Sequence, residues 1–233
     1  MANTSNKHRN RKLWTGGIII LVVLLVVSFI VSNKDEVIDP ATFADVEVQA
    51  DGPHLKGNIE SDIVLIEYSD FQCPACKAAE PAVSGLVDSF GDQLAVEYRH
   101  FPLRSIHPNA QIAAQAGEAA AIQGKFWEMH DILFENQSEW GQSFNAERYL
   151  KQYAEEIGLN ADRFAFDLKS DEVKNRVNAD ADEAASIGLQ GTPSFVYNGE
   201  IVDFNEFVNE NIDTSTFVSE SDTEQVVEET ASE

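Results

Sequence analysis

Cysteine is almost absent from this chain of 233 residues, which contains only Cys73 and Cys76. So small a number excludes a fold held by a framework of disulfides, which takes four or more cysteines. It also excludes a zinc site made of cysteine pairs, and the five histidines include no two at zinc-finger spacing. A haem bound through this pair would need histidine at position 77, which is Lys77. The pair therefore indicates redox chemistry, in which two close thiols form a disulfide and release it again.

Basic residues are also scarce. The chain has 16 Lys and Arg against 40 Asp and Glu, which gives a formal net charge of −24, and no Lys or Arg follows Arg176. An acidic chain of this kind repels phosphates and anionic lipid head groups, so nucleic acid is excluded as a partner. Few large apolar residues follow Asp213, and the sequence predicts a disordered acidic tail at 213–233.

Charged residues are missing from one long stretch near the start of the chain. Residues 13–31 form an apolar run that nearly spans a bilayer core, and the basic residues before it predict a cytoplasmic N-terminus. The sequence thus predicts a basic segment at 1–12, a transmembrane anchor at 13–32 and a tether at 33–51. The alternative is a cleaved signal peptide, whose apolar region is shorter and ends at a small-residue cleavage site.

Both readings of this segment place the rest of the chain outside the cytoplasm. We expect a single-pass protein of the cell membrane, inserted by one helix, with its main domain on the extracytoplasmic side. Disulfides persist in such a compartment.

The cysteine pair lies where a predicted strand gives way to a predicted helix. Ile63 to Tyr68 is an apolar, β-branched run that predicts a buried strand, and good helix formers follow Cys76. Cys73 is therefore expected at the helix N-terminus, where free backbone N–H groups and the helix dipole favour a thiolate. Pro74 suits the first helical turn, because the N–H that it lacks is not needed there. We expect Cys73 to be the exposed nucleophile and Cys76 to be more buried.

The remaining pattern predicts one α/β domain at 52–212, divided by a helical insert. Residues 94–101 predict a second strand, so the domain opens as strand, helix and strand, with the two strands parallel. Residues from about 109 to 188 are helical by propensity and periodicity. Strand signals return at 194–197, where an Asn-Gly turn predicts a hairpin before a short final helix.

Four short motifs carry a family resemblance. Phe71 to Lys77 reads FQCPACK, and Gly191 to Pro193 reads GTP immediately before the third predicted strand. His100 to Leu103 and Gly124 to His130 belong to the same pattern. Together they resemble the DsbA-like branch of the thioredoxin superfamily over about residues 52–212. The resemblance implies a thioredoxin-like fold interrupted by a helical insert domain, and an exported, membrane-anchored thiol–disulfide oxidoreductase.

The resemblance also assigns residues to substrate binding. In thioredoxin-like proteins the proline at the position of Pro193 follows a cis peptide bond, and its loop faces the cysteines. Thr192 and Pro193, together with Pro74 and Ala75 between the cysteines, are therefore predicted to contact an extended substrate chain. The strongest oxidants of the family have histidine where this chain has Ala75, which implies a less oxidising pair here.

Glu67 is the third predicted catalytic residue, beside the two cysteines. It lies within an apolar strand, where a charge is costly unless it is paired or neutralised. DsbA-like proteins have a glutamate at this spacing before the first cysteine, beneath the disulfide. Burial should raise the pKa of Glu67 and allow it to carry a proton to or from Cys76. The alternative is that Glu67 faces solvent.

The function predicted from the sequence is the introduction of disulfides into exported proteins that bear thiols. Cys73 and Cys76 would form the redox-active disulfide, and a membrane reoxidase, for example a quinone-linked one, would restore it. No organic cofactor and no metal are implied. One alternative is a disulfide isomerase or reductase that uses the same site. The other is a binding or scaffold protein with idle thiols, against which the intact Cys-x-x-Cys and Thr-Pro motifs argue.

Overall fold

A mixed five-stranded sheet organises the domain. The computed structural model describes residues 52–214, and all structural statements below concern this range. Its strands are β1 (His54–Gly57), β2 (Val64–Ser69), β3 (Ala95–His100), β4 (Ser194–Tyr197) and β5 (Glu200–Val202). Their order in the sheet is β1-β3-β2-β4-β5, and among these pairings β2 and β3 run parallel while the others are antiparallel.

Eight helices accompany the sheet within the described range. The first connects the two parallel strands, six lie between β3 and β4, and the last follows β5. They are α1 (Pro74–Phe90), α2 (Ala110–Ala121), α3 (Phe126–Glu135), α4 (Gln137–Trp140), α5 (Ala146–Glu156), α6 (Ala161–Asp167), α7 (Asp171–Ser186) and α8 (Phe204–Asn211). Side-chain caps start three of them, since Asn160, Ser170 and Asp203 each accept a hydrogen bond from a backbone N–H of the first turn.

The core is divided between the sheet and the helical insert. On one side, residues of β2 and β3 such as Leu65 and Val96 pack with α1 and α8. A larger cluster holds both cysteines, Tyr98 and the apolar faces of α2 to α6. The insert therefore packs directly against the segment that carries the cysteine pair.

Most of the predicted order is confirmed. β2 and β3 lie within one residue of the predicted strands, and the helical insert occupies the predicted region. The predicted hairpin between β4 and β5 is present, with Asn198 and Gly199 at positive φ of 51° and 82°. β1 was not predicted, so the prediction that the domain opens with β2 is wrong.

The predicted terminal segments lie largely outside the described residues. This holds for the segments at 1–12, 13–32 and 33–51 and for most of the tail at 213–233. Asp213 is described, and its backbone N–H and C=O both bond the side chain of Gln93. Within residues 52–214, no helix has the length and apolar composition needed to cross a membrane.

Candidate active site

The two cysteines occupy the first turn of α1. Cys73 is the N-cap and has no side-chain capping bond, and Pro74 stands at the first helical position. The backbone fixes this turn, since the N–H of Cys73 bonds the carbonyl of Asp70 (2.9 Å) and its carbonyl accepts from Lys77 (3.1 Å). Both cysteines are free thiols. Two thiols in one helical turn are placed to form a disulfide with little movement of the backbone.

Cys73 is more covered than predicted. It retains 6% of its surface, against 0% for Cys76, while Pro74 and Ala75 between them are exposed. The cover includes the loop before β4, because the sulfur of Cys73 lies 3.5 Å from the carbonyl oxygen of Thr192. The predicted order, with Cys76 more buried than Cys73, is present, but a freely exposed nucleophile is not.

The surroundings separate the two thiols electrostatically. The neighbouring thiol of Cys76 lowers the pKa of Cys73, and Thr192 and the backbone N–H groups of Ala75 and Cys76 add to the effect. Burial raises the pKa of Cys76, and the hydrogen bond between its thiol and the sulfur of Cys73 raises it further. At neutral pH the reduced pair therefore carries its negative charge on Cys73.

The loop before β4 has the predicted backbone conformation. The peptide bond between Thr192 and Pro193 is cis, as the sequence predicted. The structure thus brings Thr192 to the sulfur of Cys73 across 119 residues of chain. The predicted contact of substrate with Thr192, Pro193, Pro74 and Ala75 stays a prediction.

Glu67 is buried, with 4% of its surface exposed. Burial raises the pKa of its carboxyl to about 7, the nearby Ser69 opposes this shift, and the charge of Glu80 adds to it. Ser69 also lowers the pKa of Cys76, so this hydroxyl acts on both groups. The reading in which Glu67 faces solvent is therefore excluded.

Tyr98 completes this buried polar group and was not predicted from the sequence. It lies opposite Glu67 in the parallel pair of strands, so the two side chains share a face of the sheet. Its pKa is raised well above the ordinary value by burial first, and then by the charges of Glu67 and Cys76. A tyrosine in an apolar strand carries no sequence signal of this role.

Asp70 is a further residue that sequence reasoning missed. Its carboxylate is buried and accepts hydrogen bonds from the backbone N–H of Gln72 (2.8 Å) and of Leu103 (2.9 Å). The ring of His107 lies 2.7 Å from the same carboxylate. Asp70 therefore ties the loop after β3 to the segment that immediately precedes Cys73.

One group of metal-ligand type lies outside the cysteine site. His54 Nε2 and His100 Nε2 lie 2.6 Å and 3.0 Å from Oε1 of Glu118, and Arg176 Nε lies 3.0 Å from its other oxygen. Both carboxylate oxygens are thus already paired. Histidines that bind a metal usually donate their second ring N–H, and Nδ1 of His100 is buried with no partner among the described residues. We interpret the group as an ion-pair network.

This network holds a buried carboxylate in its charged form. Burial opposes ionisation of Glu118, but hydrogen bonds from His100 and His54 keep its pKa well below the usual range. The network joins β1, β3, α2 and α7, and so connects the sheet to the helical insert.

Comparison with known proteins identifies the family. The protein-family model described as Thioredoxin matches residues 49–215. The chain belongs to this family. Its fold is that of the thioredoxin family, and DsbA-like proteins are among its structural neighbours.

Solved structures show the same fold. A thioredoxin-like oxidoreductase from Silicibacter pomeroyi DSS-3 is 28% identical with a TM-score of 0.59, covering 75% of this chain and 98% of its own. BdbD from Bacillus subtilis is 20% identical with a TM-score of 0.59, covering 70% and 94%. DsbA2 from Pseudomonas aeruginosa is 24% identical with a TM-score of 0.55, covering 69% and 93%.

Curated relatives with higher identity are longer proteins. The Na(+)/H(+) antiporter NhaA 3 of Salinispora tropica is 43% identical over 156 residues, which are 66% of this chain and 23% of that protein. The antiporter NhaA 1 of Mycolicibacterium vanbaalenii is 40% identical over 156 residues, covering 65% and 24%. The chain thus spans about a quarter of the length of these relatives.

Proposed function

We propose that this protein is a thiol–disulfide oxidoreductase that introduces disulfides into exported proteins bearing thiols. The observation that carries the proposal is the opposite shift of the two thiol pKa values within one helical turn. A thiol that ionises easily is both a good nucleophile and a good leaving group in disulfide exchange. Cys73 therefore exchanges with substrate, and Cys76 closes the pair.

The oxidising half-reaction transfers two electrons to the protein. A substrate thiolate attacks the sulfur of Cys73 in the Cys73–Cys76 disulfide, and Cys76 leaves and takes up a proton. A second substrate thiolate then attacks the substrate sulfur of the mixed disulfide, and Cys73 leaves as a thiolate that its surroundings stabilise. The substrate gains one disulfide, and the protein becomes a dithiol.

Glu67 is proposed to handle the proton of Cys76. With a pKa of about 7, its carboxyl can give a proton to the departing Cys76 thiolate and accept one from the thiol when the pair is reoxidised. Ser69 and Tyr98 lie in the same buried group, so this exchange takes place away from bulk water.

The proposal includes a place and a partner. The apolar run at 13–32 would anchor the protein in the cell membrane, with the N-terminus in the cytoplasm and the domain on the other side. A membrane reoxidase, for example a quinone-linked one, would take the two electrons from Cys73 and Cys76. Substrate would lie against Pro74, Ala75 and the Thr192–Pro193 loop, where exposed backbone groups can pair with an extended chain.

Alkylation trapping of the full chain in its own cell tests the direction of catalysis. An oxidase should be found mostly as the Cys73–Cys76 disulfide, because the reoxidase keeps it so. A pool that is mostly dithiol would instead indicate a reductase or isomerase at the same site. Formation of a disulfide in a reduced two-cysteine peptide by the purified oxidised protein is the companion measurement, and failure of this reaction would contradict the proposal.

A further inference from the structure

Gln137 contacts the backbone of the cysteine segment from the helical insert. It is the first residue of α4, and its side-chain Nε2 lies 2.8 Å from the carbonyl oxygen of Phe71 and 3.0 Å from that of Cys73. The two N–H bonds of one amide are thereby used on the carbonyls on either side of Gln72. These contacts join residues 66 and 64 positions apart in the chain.

Gln72 makes the reciprocal contact. Its Nε2 donates to the carbonyl of Gly141 (2.6 Å), and its Oε1 accepts from the backbone N–H of Asn109 (2.6 Å). The side chain of Asn109 in turn donates to the carbonyls of Trp140, Gly141 and Ser143. We call Gln72 and Gln137 the glutamine clasp.

The short helix that carries Gln137 is held in place by buried contacts. Trp140 at the end of α4 is fully buried, and its indole N–H donates to the carbonyl of Leu133 (2.9 Å). The backbone N–H of Gly141 bonds the carbonyl of Gln137 (2.8 Å). A short helix anchored in this way can hold one amide in place against another segment.

Gln137 of the clasp contacts the N-terminus of α1, which has no side-chain cap of its own. The side chain of Cys73 makes no capping bond, and Pro74 has no N–H to contribute. The carbonyl of Cys73 is held by Gln137 and by the N–H of Lys77, and this carbonyl fixes the peptide plane between Cys73 and Pro74. That plane sets where the sulfur lies relative to the N–H groups of Ala75 and Cys76.

We propose that Gln137 is a positioning residue, which holds the carbonyl of Cys73 so that the first N–H groups of α1 stay directed at the Cys73 sulfur. The proposal rests on the proposed function only in naming Cys73 as the exchanging thiol. Gln137 touches neither substrate nor sulfur in this role and acts through the backbone. Its loss should therefore change the ionisation of Cys73 more than the stability of the fold.

The test compares Gln137→Leu, which removes the two donors at similar size, with Gln137→Glu, which keeps the shape but places an oxygen against the carbonyls. The control is Gln123→Leu, because the Gln123 amide also bridges segments, bonding the backbone of Asn160 between α2 and α6. The full chain is used, in its reduced form, and the rate of Cys73 alkylation is followed against pH.

We expect the midpoint of the alkylation profile to rise by about one pH unit in Gln137→Leu, a roughly tenfold loss of thiolate below the midpoint. Gln137→Glu should raise it further, and Gln123→Leu should leave it unchanged. With the more weakly stabilised thiolate, the glutathione equilibrium should move about tenfold toward the disulfide.

Three results would overturn the proposal. One is an unchanged midpoint in a folded Gln137→Leu, and another is an equal rise in Gln123→Leu. The third is loss of folding in both Gln137 variants, since Gln137 would then act on the fold and not on the thiol. These measurements use no protein substrate, so failure of the proposed function appears separately, as absence of disulfide transfer by the unaltered protein.

Discussion

At the scale of single residues, the two thiols differ in what surrounds them and not in their chemistry. Cys73 stands at the N-terminal end of α1, where the Cys76 thiol and backbone N–H groups stabilise a negative sulfur. Cys76 is wholly buried, and burial disfavours a second negative charge there. When Cys73 is ionised, Cys76 therefore stays protonated.

The dependence of Cys73 on its partner thiol gives the first prediction. Replacing Cys76→Ala removes the largest cause of the lowered Cys73 pKa, so the pKa should rise from about 5 toward the free-thiol value of about 8.5. Cys76→Ser keeps a hydroxyl donor and should raise it less. The pH dependence of Cys73 alkylation measures the Cys73 pKa in both variants. Equal midpoints would contradict a hydrogen bond from the side chain of residue 76 to the Cys73 sulfur.

Trapping of intermediates gives the second prediction. Cys76→Ser should accumulate mixed disulfides with exported proteins, because the remaining Cys73 has no partner to release it. Cys73→Ser should accumulate far fewer, since Cys76 is buried and its pKa is raised. Non-reducing gels with mass spectrometry measure the adducts. Comparable trapping by Cys73→Ser would show that Cys76 is the exchanging thiol.

Glu67→Gln is predicted to stabilise the fold at alkaline pH. The folded pKa of about 7 lies above the unfolded value, so the folded state binds more protons between them and the stability of the protein falls as pH rises through this window. Glutamine removes this loss of stability, which amounts to at most about 3–4 kcal/mol above pH 7. Urea unfolding at acid and alkaline pH measures the difference.

The same variant has a kinetic signature. If Glu67 exchanges a proton with Cys76, disulfide exchange by Glu67→Gln should slow and lose its pH dependence near neutrality. Tyr98→Phe is a useful control, because it alters the same buried group without removing the carboxyl. An unchanged pH–rate profile in Glu67→Gln would leave Glu67 as a structural residue.

At the scale of elements, two glycines are predicted to respond in opposite ways to the same substitution. Gly57 ends β1 with a φ of +101°, and a Cβ there would lie 2.5 Å from the carbonyl oxygen of Leu94. Gly57→Ala should destabilise the protein by about 1–3 kcal/mol. Gly85 is within α1 with no atom in the way, and Gly85→Ala should stabilise it by about 0.5–1 kcal/mol. Thermal unfolding of both variants measures the contrast.

The elements that the sequence predicted are those with a local signal. β2 is an uninterrupted apolar run, the β4–β5 hairpin has its Asn-Gly turn, and the insert has helical periodicity. β1 has four residues, HLKG, with neither alternation nor an apolar run, and its pairing with β3 fixes it as a strand. A strand of this kind can be recognised only from its pairing with a neighbouring strand.

The residues of the site likewise fall into those with a local sequence signal and those without one. Cys73 and Cys76 could be predicted from their spacing at a strand–helix junction. Glu67 could be predicted from its place in an apolar strand together with the family resemblance. Asp70 and Gln137 could not, because each bonds residues between 33 and 66 positions away, and such bonds leave no periodic pattern. Their signal is a tertiary hydrogen bond, which only the folded structure contains.

At the scale of the whole molecule, the ion-pair network around Glu118 predicts acid sensitivity. The pKa of Glu118 is held low, so its contribution is present at neutral pH and is lost as pH falls below the unfolded value of about 4.3. Glu118→Gln should cost about 3–5 kcal/mol at pH 7, because His54 and Arg176 lose a buried charged partner. The difference in the free energy of unfolding between Glu118→Gln and the unaltered protein should become smaller at acid pH.

A surface pair supplies the control for this prediction. Glu147 pairs with Lys151 and Lys169 near the surface, and Glu147→Gln should cost under about 1 kcal/mol. Chemical unfolding of both variants across a pH series measures the contrast. Equal losses for Glu118→Gln and Glu147→Gln would contradict the role assigned to the network.

The cover over the Cys73 sulfur has a consequence for the order of events during synthesis. Thr192 lies 119 residues after Cys73, beyond the entire insert. Chains are made and emerge from the N-terminus, so the nucleophile is present long before the loop that will shield it. During that interval the nascent protein has the same reactive cysteines as the clients that we propose for it. If the proposed function holds, a folded copy of the protein could oxidise the cysteines of a newly made copy.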